Sequence, residues 1–354
     1  MPNLTSVAEL LDIEQQLGSS RSMKMPRIVL YQYPGSPWGA KVAFYLALRG
    51  IAYSECHQPM TWPRPDLEPL GIRYRRIPIM AIGRDIYYDS SLIFDKLEVL
   101  YAENRMGATK PSEQALEKLT ERWVETCVLP SVFSLLPTEL PFVKDEKFLQ
   151  DRMTLWGKDM SAKAISSGRS RSLVEMQGHF AFLERLLQDG RTWLQDTPEP
   201  SLTDIHAVFL IDWLSKMPGA LPNNFFPTDV YPRTWAWLGK FQSTLAECQG
   251  RTGAPILLAG PDAAKQILAS DFGEPQGMTS ATTGEEEDPT GLKRGQLVAV
   301  YRNDDIISRT KHRDIGRLMS LTPHEIVVAI GAGTRSEVRV HCPRWQFAIE
   351  GVVE

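Results

Sequence analysis

The most constraining feature of this chain is the run from residue 28 to residue 57, where strand, break, helix and strand follow with little slack. Ile28–Tyr33 is β-branched and aromatic, a strand pattern. Pro34-Gly35-Ser36-Pro37 breaks it and places a proline where a helix tolerates one, in its first turn. Trp38, Val42, Tyr45 and Leu46 then recur at helical spacing on one face, Gly50 stops the helix, and Ile51–His57 is again extended. A strand, a helix and a strand within about thirty residues make a βαβ unit with a right-handed crossover.

The pattern continues as one α/β unit. Pro59–Ile72 holds four prolines and reads as irregular or briefly helical. Pro78–Ile82 and Ile86–Tyr88 are short strands around a Gly83-Arg84-Asp85 turn, and Asp89-Ser90-Ser91 caps a helix to about Tyr101. The order is β-α-β-(α)-β-β-α. An all-helical stretch follows, with expected helices at Ser112–Ser134, Asp145–Ala162, Ser172–Gln188, Leu202–Lys216 and Tyr231–Cys248. At the front, Ser6-Val7-Ala8-Glu9 is a capping box for a short helix to about Leu17, tethered by Gly18–Pro26. At the back, a helix at Gly260–Ser270 precedes a linker-like stretch, Asp271–Gly291. Short apolar alternations return at Leu297–Tyr301, Glu325–Ile330, Val338–Cys342 and Gln346–Val352. The expected partition is 1–26, 27–103, 104–258 and 259–354, the last a linker and small β-rich extension.

Composition narrows the function class. A formal charge of −4 gives no global pull toward nucleic acid or an anionic membrane. Acidic residues in the first twenty positions argue against a signal peptide, and no apolar run reaches membrane-spanning length. Four scattered cysteines and six histidines lack the spacing of a zinc or dithiol site, so no metal is expected. The expected setting is cytoplasmic.

Three places carry chemistry. Ser36 stands between a strand end and a helix N-terminus, where unpaired N–H groups and the helix dipole favour an anion. Its hydroxyl is suited to donating a hydrogen bond to a bound thiolate, or simply to capping the helix. Arg76-Ile77-Pro78 enters a strand. With a cis Ile77–Pro78 bond, the Ile77 backbone can pair with an extended ligand while Arg76 meets a carboxylate. Asp89 and Ser90 open the next helix, a socket suited to the ammonium and carboxylate of an amino acid.

In order and spacing, Ser36-Pro37-Trp38, Lys41-Val42, Arg76-Ile77-Pro78-Ile79 and Tyr88-Asp89-Ser90-Ser91-Leu92-Ile93 resemble the N-terminal domain of glutathione transferases. The style is closest to the serine-type tau and zeta classes and the cysteine-type omega class. Pro200-Ser201-Leu202-Thr203-Asp204-Ile205 and Tyr231-Pro232 with Trp235 and Trp237 resemble that superfamily's helical core. The resemblance implies a thioredoxin-like half, a helical half, a bound glutathione and a homodimer. It further implies that Ser36 would polarise the sulfur, Ile77 and cis Pro78 would hold the cysteinyl backbone, Arg76 would meet the glycine carboxylate, and Asp89 and Ser90 would hold the γ-glutamyl end. Trp38, Trp123 and Thr126 are the candidates for the electrophile site. Asp89 in place of Glu, Lys41 in place of Arg and the small Gly39 depart from the pattern. The extra β unit resembles extended fungal members associated with secondary metabolism.

The leading expectation is a glutathione-dependent enzyme that adds the thiol to an electrophilic small molecule, giving conjugation, isomerisation or elimination. The alternatives are a glutathione-independent rearranging or dehydrating biosynthetic enzyme on the same fold, and a non-catalytic ligand-binding or assembly module.

Overall fold

The computed structural model describes residues 27–274, 288–305 and 307–352. The expected helix at Ser6–Leu17, its tether and most of the linker lie outside these residues.

The first half follows the expected order: β1 (Ile28–Gln32), α1 (Pro37–Leu48), β2 (Ser54–His57), a 3-10 turn at Pro65–Leu70, β3 (Ile79–Ile82), β4 (Asp85–Tyr88) and α2 (Ser90–Leu100). β2 starts later than its pattern suggests, because the chain before it closes α1. Gly50 N–H donates to Ala47 O and Ile51 N–H to Leu46 O, with Gly50 at φ +63°, a left-handed helix end that few other residues adopt freely. β1 runs parallel to β2 and antiparallel to β3, which pairs antiparallel with β4. Strand side chains alternate between faces. Ile28, Leu30, Met80, Ile82 and Tyr87 join the core beneath α1 and α2, while Val29, Tyr31, Ile79, Ala81, Ile86 and Tyr88 join a second core behind the sheet.

The helical half comprises α3 (Pro111–Trp123), α4 (Leu129–Val132), α5 (Glu146–Trp156), α6 (Ala162–Leu186), α7 (Leu202–Ser215), α8 (Pro232–Thr252) and α9 (Gly260–Leu268). The single helix expected over Ser112–Ser134 is interrupted by a π turn at Val124–Val128. Pro130 has no N–H for a regular i→i−4 bond, and the widened turn sets Leu129 N–H on Val124 O instead. α5 stops at Trp156, with Gly157 at φ +64°, short of the expected Ala162. α6 begins at Ala162, not Ser172, because Ser161 caps it by accepting from Ala164 N–H. α7 is buried almost throughout, and Asp204 holds its entry. That carboxylate accepts from Ser201 N–H at 2.9 Å, Leu194 N–H at 2.9 Å and Trp237 Nε1 at 2.9 Å. Among the described residues no helix is long and apolar enough to cross a membrane.

Beyond α9 lie β6 (Leu297–Arg302), α10 (Ser308–Lys311), β7 (Asp314–Leu321), β8 (Glu325–Ile330), β9 (Val338–Pro343) and β10 (Phe347–Gly351). β7 was not expected. Gly316 and Arg317 interrupt its apolar pattern, although its first five positions alternate buried and exposed. A two-residue β5 (Ile256–Leu257), also unexpected, pairs parallel with β2.

These strands are continuous with the first half. The order is β10-β6-β7-β8-β9-β4-β3-β1-β2-β5, and the junction is a parallel pairing in which Asp85, Ile86 and Tyr87 of β4 face Arg339, Val340 and His341 of β9. The second core is shared accordingly: Tyr74 stacks on Tyr88 with centroids 4.2 Å apart, and Phe347 of β10 stacks on Tyr74 at 5.8 Å. Gly83, in the β3–β4 turn, has φ +63°, and a Cβ there would lie 2.3 Å from the Asp271 carbonyl oxygen. Left-handed strain and backbone overlap together make Gly83→Ala costly, by about 1–3 kcal/mol. The expected result is a lower denaturant midpoint with an unchanged m-value.

Candidate active site

A cavity of about 300 Å³ opens between the first half, the helical half and the C-terminal strands. Ser36, Trp38, Arg76, Ile77, Pro78, Asp89 and Ser90 all border it. Trp123 and Thr126 do not, a correction to the sequence expectation. Trp123 packs instead on Phe182 and His179, with centroids 5.0 and 5.5 Å away, and the Thr126 hydroxyl donates to Arg122 O. For Trp123 the reason is helical phase: Glu125, Leu129 and Phe133 follow one another at four-residue steps and border the cavity, whereas Trp123, two positions before Glu125, points to the far side.

Ser36 is buried at the tip of α1, and its Oγ accepts from Gly39 N–H at 3.2 Å. Capping uses a lone pair of the hydroxyl, so its proton stays available to another acceptor. The small residue at 39 has a local cause: a Cβ there would stand 2.1 Å from Gln32 Oε1. The Trp213 indole donates to Gly35 O at 3.0 Å and ties the loop to α7. The Ile77–Pro78 peptide is cis. Neither the N–H nor the C=O of Ile77 is engaged by another described residue.

Asp89 caps α2 from an unusual backbone conformation, φ 72° and ψ 134°. A non-glycine residue held there costs of order 1–3 kcal/mol and persists only where its surroundings fix it. One carboxylate oxygen accepts from Ser91 N–H at 3.0 Å and the other from Arg302 Nη1 at 2.8 Å. The hydroxyl of Ser90 accepts from Lys41 Nζ at 3.2 Å. Lys41 is fully buried, 3.8 Å from Glu121 and over the Phe209 ring at 5.0 Å, so it serves the socket from beneath. His206 lies 3.7 Å from the same carboxylate. Burial, then the neighbouring Lys41 charge, pushes this imidazole well below its usual range, and it is neutral. Burial raises the Glu121 carboxyl, but the neighbouring His206, Lys41, Lys118 and Arg122 bring it well below the usual carboxylate range.

The C-terminal strands reach the same place. Arg76 pairs in two-pronged fashion with Asp304, at 2.9 and 2.8 Å, and also meets Asp305 at 2.7 Å. Arg302, at the end of β6, binds Asp89, Asp304 and Gln346 and lies over the Phe347 ring. Burial opposes the Arg302 charge, but its bonds to Asp304 and the carboxylates around it hold it protonated. Burial raises Asp304 as well, yet Arg302 and Arg76 bring its pKa down to about 2. Arg76 and Asp89, expected to face a ligand, are thus each bonded to side chains more than two hundred positions away in sequence. No local pattern in residues 302–305 announces this, since Asn303-Asp304-Asp305 reads as a turn. The cavity further includes Arg75, next to the Arg76-Ile77-Pro78 step, and Tyr33, Arg64, Tyr74, Glu125 and Arg152, which were not singled out from the sequence. Burial pushes Glu125 up to about 6, with Lys41 opposing and Asp89 and Glu121 adding.

A second charged cluster lies outside the cavity, at the β4–β9 seam. His341 is buried between Asp85, at 3.1 Å from Nε2, and Glu325, at 2.7 Å from Nδ1. Lys96 bridges Glu325 and Glu274 at 2.9 and 2.6 Å, and Tyr87 donates to Glu274. The ligating atoms of Glu274, Glu325 and His341 lie close enough to hold a cation. Each residue, however, is already bonded to a protein donor or acceptor, so the cluster reads as an ion network.

Comparison with known proteins agrees with this architecture. Residues 30–105 match the family described as glutathione S-transferase, N-terminal domain, and residues 131–250 match a domain of unknown function, DUF7962. A probable glutathione S-transferase of Glycine max is 19% identical over 58% of this chain and 80% of its own length. Glutathione S-transferase U2 of Arabidopsis thaliana is 20% identical over 40% of this chain and 63% of its own length. Among solved structures, a GST-like protein from Pseudomonas syringae aligns with a TM-score of 0.70 at 22% identity, covering 93% of this chain and 100% of that one. Such coverage extends into the C-terminal strands, so the whole layout, extension included, has a counterpart. A strand-end serine, a cis-proline turn and an Asp-Ser helix entry thus lie on a domain, residues 30–105, that matches the glutathione S-transferase N-terminal family, and the chain as a whole has the fold of a GST-like protein.

Proposed function

We propose that the protein activates the thiol of glutathione for addition to an electrophilic small molecule, with Ser36 donating to the sulfur. The observation that carries this is the Ser36 hydroxyl. It is buried at a helix N-terminus, its lone pair spent on Gly39 N–H and its proton unassigned, beside the free backbone of Ile77 on the same cavity wall. The cysteinyl backbone of the tripeptide pairs with Ile77, and the γ-glutamyl carboxylate sits at the N–H groups opening α2, near Ser90. The Arg302 guanidinium, bonded to Asp89, adds a cation there. The addition product leaves as a thioether, or the adduct collapses to an isomer or an elimination product, since thiolate attack begins each path.

One observation favours a second reading. Arg76 and Asp89 are both paired internally, so the socket offers fewer open charges than a tripeptide zwitterion needs. A glutathione-independent biosynthetic enzyme using the same cavity accommodates this directly.

Calorimetric titration with reduced glutathione separates the two. Saturable binding is expected, weakened roughly tenfold or more in Asp89→Ala, as for loss of one charge-assisted hydrogen bond. No heat of binding at millimolar glutathione, with turnover of an electrophile persisting in thiol-free buffer, overturns the thiol reading in favour of the second.

A further inference from the structure

Among the arginines around the cavity, one stands apart from the carboxylates that pair with the rest. Five guanidiniums, those of Arg64, Arg75, Arg76, Arg152 and Arg302, are interleaved with four carboxylates, those of Asp89, Asp151, Asp304 and Asp305. Asp151 is shared by Arg75 and Arg152, Asp304 by Arg76 and Arg302, Asp305 binds Arg76 and Asp89 binds Arg302. Arg64 has no carboxylate partner among the described residues. Its Nε donates to Arg75 O and its Nη1 to Pro59 O, leaving Nη2 without a partner. The residue is 5% exposed and borders the cavity.

A buried guanidinium held only by carbonyl oxygens keeps its charge but lacks the counterion that such burial ordinarily demands. Its neighbours do not supply one. Arg152 points its second nitrogen at Met60 O and the Tyr33 hydroxyl, and the nearby His312 is held neutral by burial, its pKa brought down to about 4. Facing this cationic corner is an apolar wall of Leu129, Phe133 and Trp156, where the last two rings lie 4.9 Å apart. Arg152 and this wall come from the helical half.

We propose that this corner binds the carboxylate of an apolar or aromatic acid, so that the second substrate is a monoanion, with Arg64 as its counterion and the Leu129–Phe133–Trp156 wall taking its hydrocarbon body. The identity of the attacking thiol rests on the function proposed above; the anion site does not, and is read without glutathione.

The test is calorimetric titration of the full chain with naphthoate and, in parallel, with its uncharged methyl ester. The acid is expected to bind about tenfold or more tightly than the ester, the scale of one charge-assisted contact, with the difference shrinking as salt rises. Arg64→Met is expected to bring acid and ester to equal affinity, with Arg64→Lys restoring part of the preference. Equal binding of acid and ester by the unaltered protein overturns the proposal, and needs no variant to fold. So does naphthoate binding that saturating glutathione abolishes, because the corner then belongs to the tripeptide's own carboxylate. If the protein binds the acid but no glutathione, the thiol reading fails and the anion site stands.

Discussion

Ser36→Ala is expected to lower turnover at neutral pH by about ten- to a hundredfold while leaving the KM for glutathione within about twofold. A hydrogen bond to a charged acceptor contributes about 1.5–3 kcal/mol, which corresponds to roughly one to two units in a thiol pKa. Without the hydroxyl the bound thiol ionises at higher pH, so the rising limb of the kcat/KM profile moves to the alkaline side by that amount. At sufficiently high pH the variant recovers much of its rate. In the function proposed above the tripeptide is held at Ile77 and Ser90, which the substitution leaves untouched, so KM is expected barely to move. Ser36 also caps α1 through Gly39 N–H, so a stability loss of about 1 kcal/mol is expected and is measured separately. A variant whose pH profile superimposes on that of the unaltered protein removes Ser36 from the chemistry and leaves it as a cap.

The largest stability effect is expected at the β4–β9 seam. Burial works against a charged His341, but its bonds to Asp85 and Glu325 outweigh that, and its pKa lies above the ordinary histidine value. Stability from this group is therefore complete below the ordinary value and is lost as pH rises through the folded one. For Glu325, burial pushes upward while the bonds and charges of His341 and Lys96 prevail, so its pKa lies below the ordinary range. Its contribution is present above the ordinary carboxylate value and lost as pH falls through the folded one. The seam is strongest between these limits. His341→Gln removes the cation from between two carboxylates and is expected to cost about 3–5 kcal/mol near neutral pH, the scale for breaking a buried pair. The decisive measurement is the melting temperature against pH. The unaltered protein should lose stability from neutral to mildly alkaline pH and the variant should not. Parallel curves would show that His341 is neutral in the folded protein.

Local chemistry made the first half legible in sequence. The Pro34-Gly35-Ser36-Pro37 break, the Gly50 stop, the Ile77–Pro78 step and the Asp89 cap each act within a few residues, and all four lie where the sequence pattern put them. Six of the named site residues came with them, because Ser36, Arg76, Ile77, Pro78, Asp89 and Ser90 stand at element ends that the pattern defines. Trp38, the seventh at the cavity, follows from being two residues into the same helix, although it also packs against Phe209 at 5.8 Å. Trp123 and Thr126 were misplaced because face assignment in the helical half depends on the phase across the π turn, which apolar spacing alone does not reveal. β7 was missed because its glycine and arginine hide the alternation. The pairing of Arg302 with Asp89 and of Asp304 with Arg76 was invisible for a deeper reason. It depends on which edge of one sheet meets which strand of another, and β-strand register between segments so far apart leaves no mark on either segment alone.

The continuity of the sheet has a consequence for the order in which the molecule is made. A ribosome delivers β4, Arg76 and Asp89 well before it delivers β6 to β10, and β4's outer neighbour and the ion-pair partners of the two charges lie in that last portion. Until it emerges, β4 is an unpaired edge able to template the wrong strand, and the two charges await their counterions. Synthesis that stalls in the helical half would leave a nascent chain with a nearly complete transferase-like body and an open seam, exposed to chaperones and proteases. A mature cavity exists only once the last strands have docked.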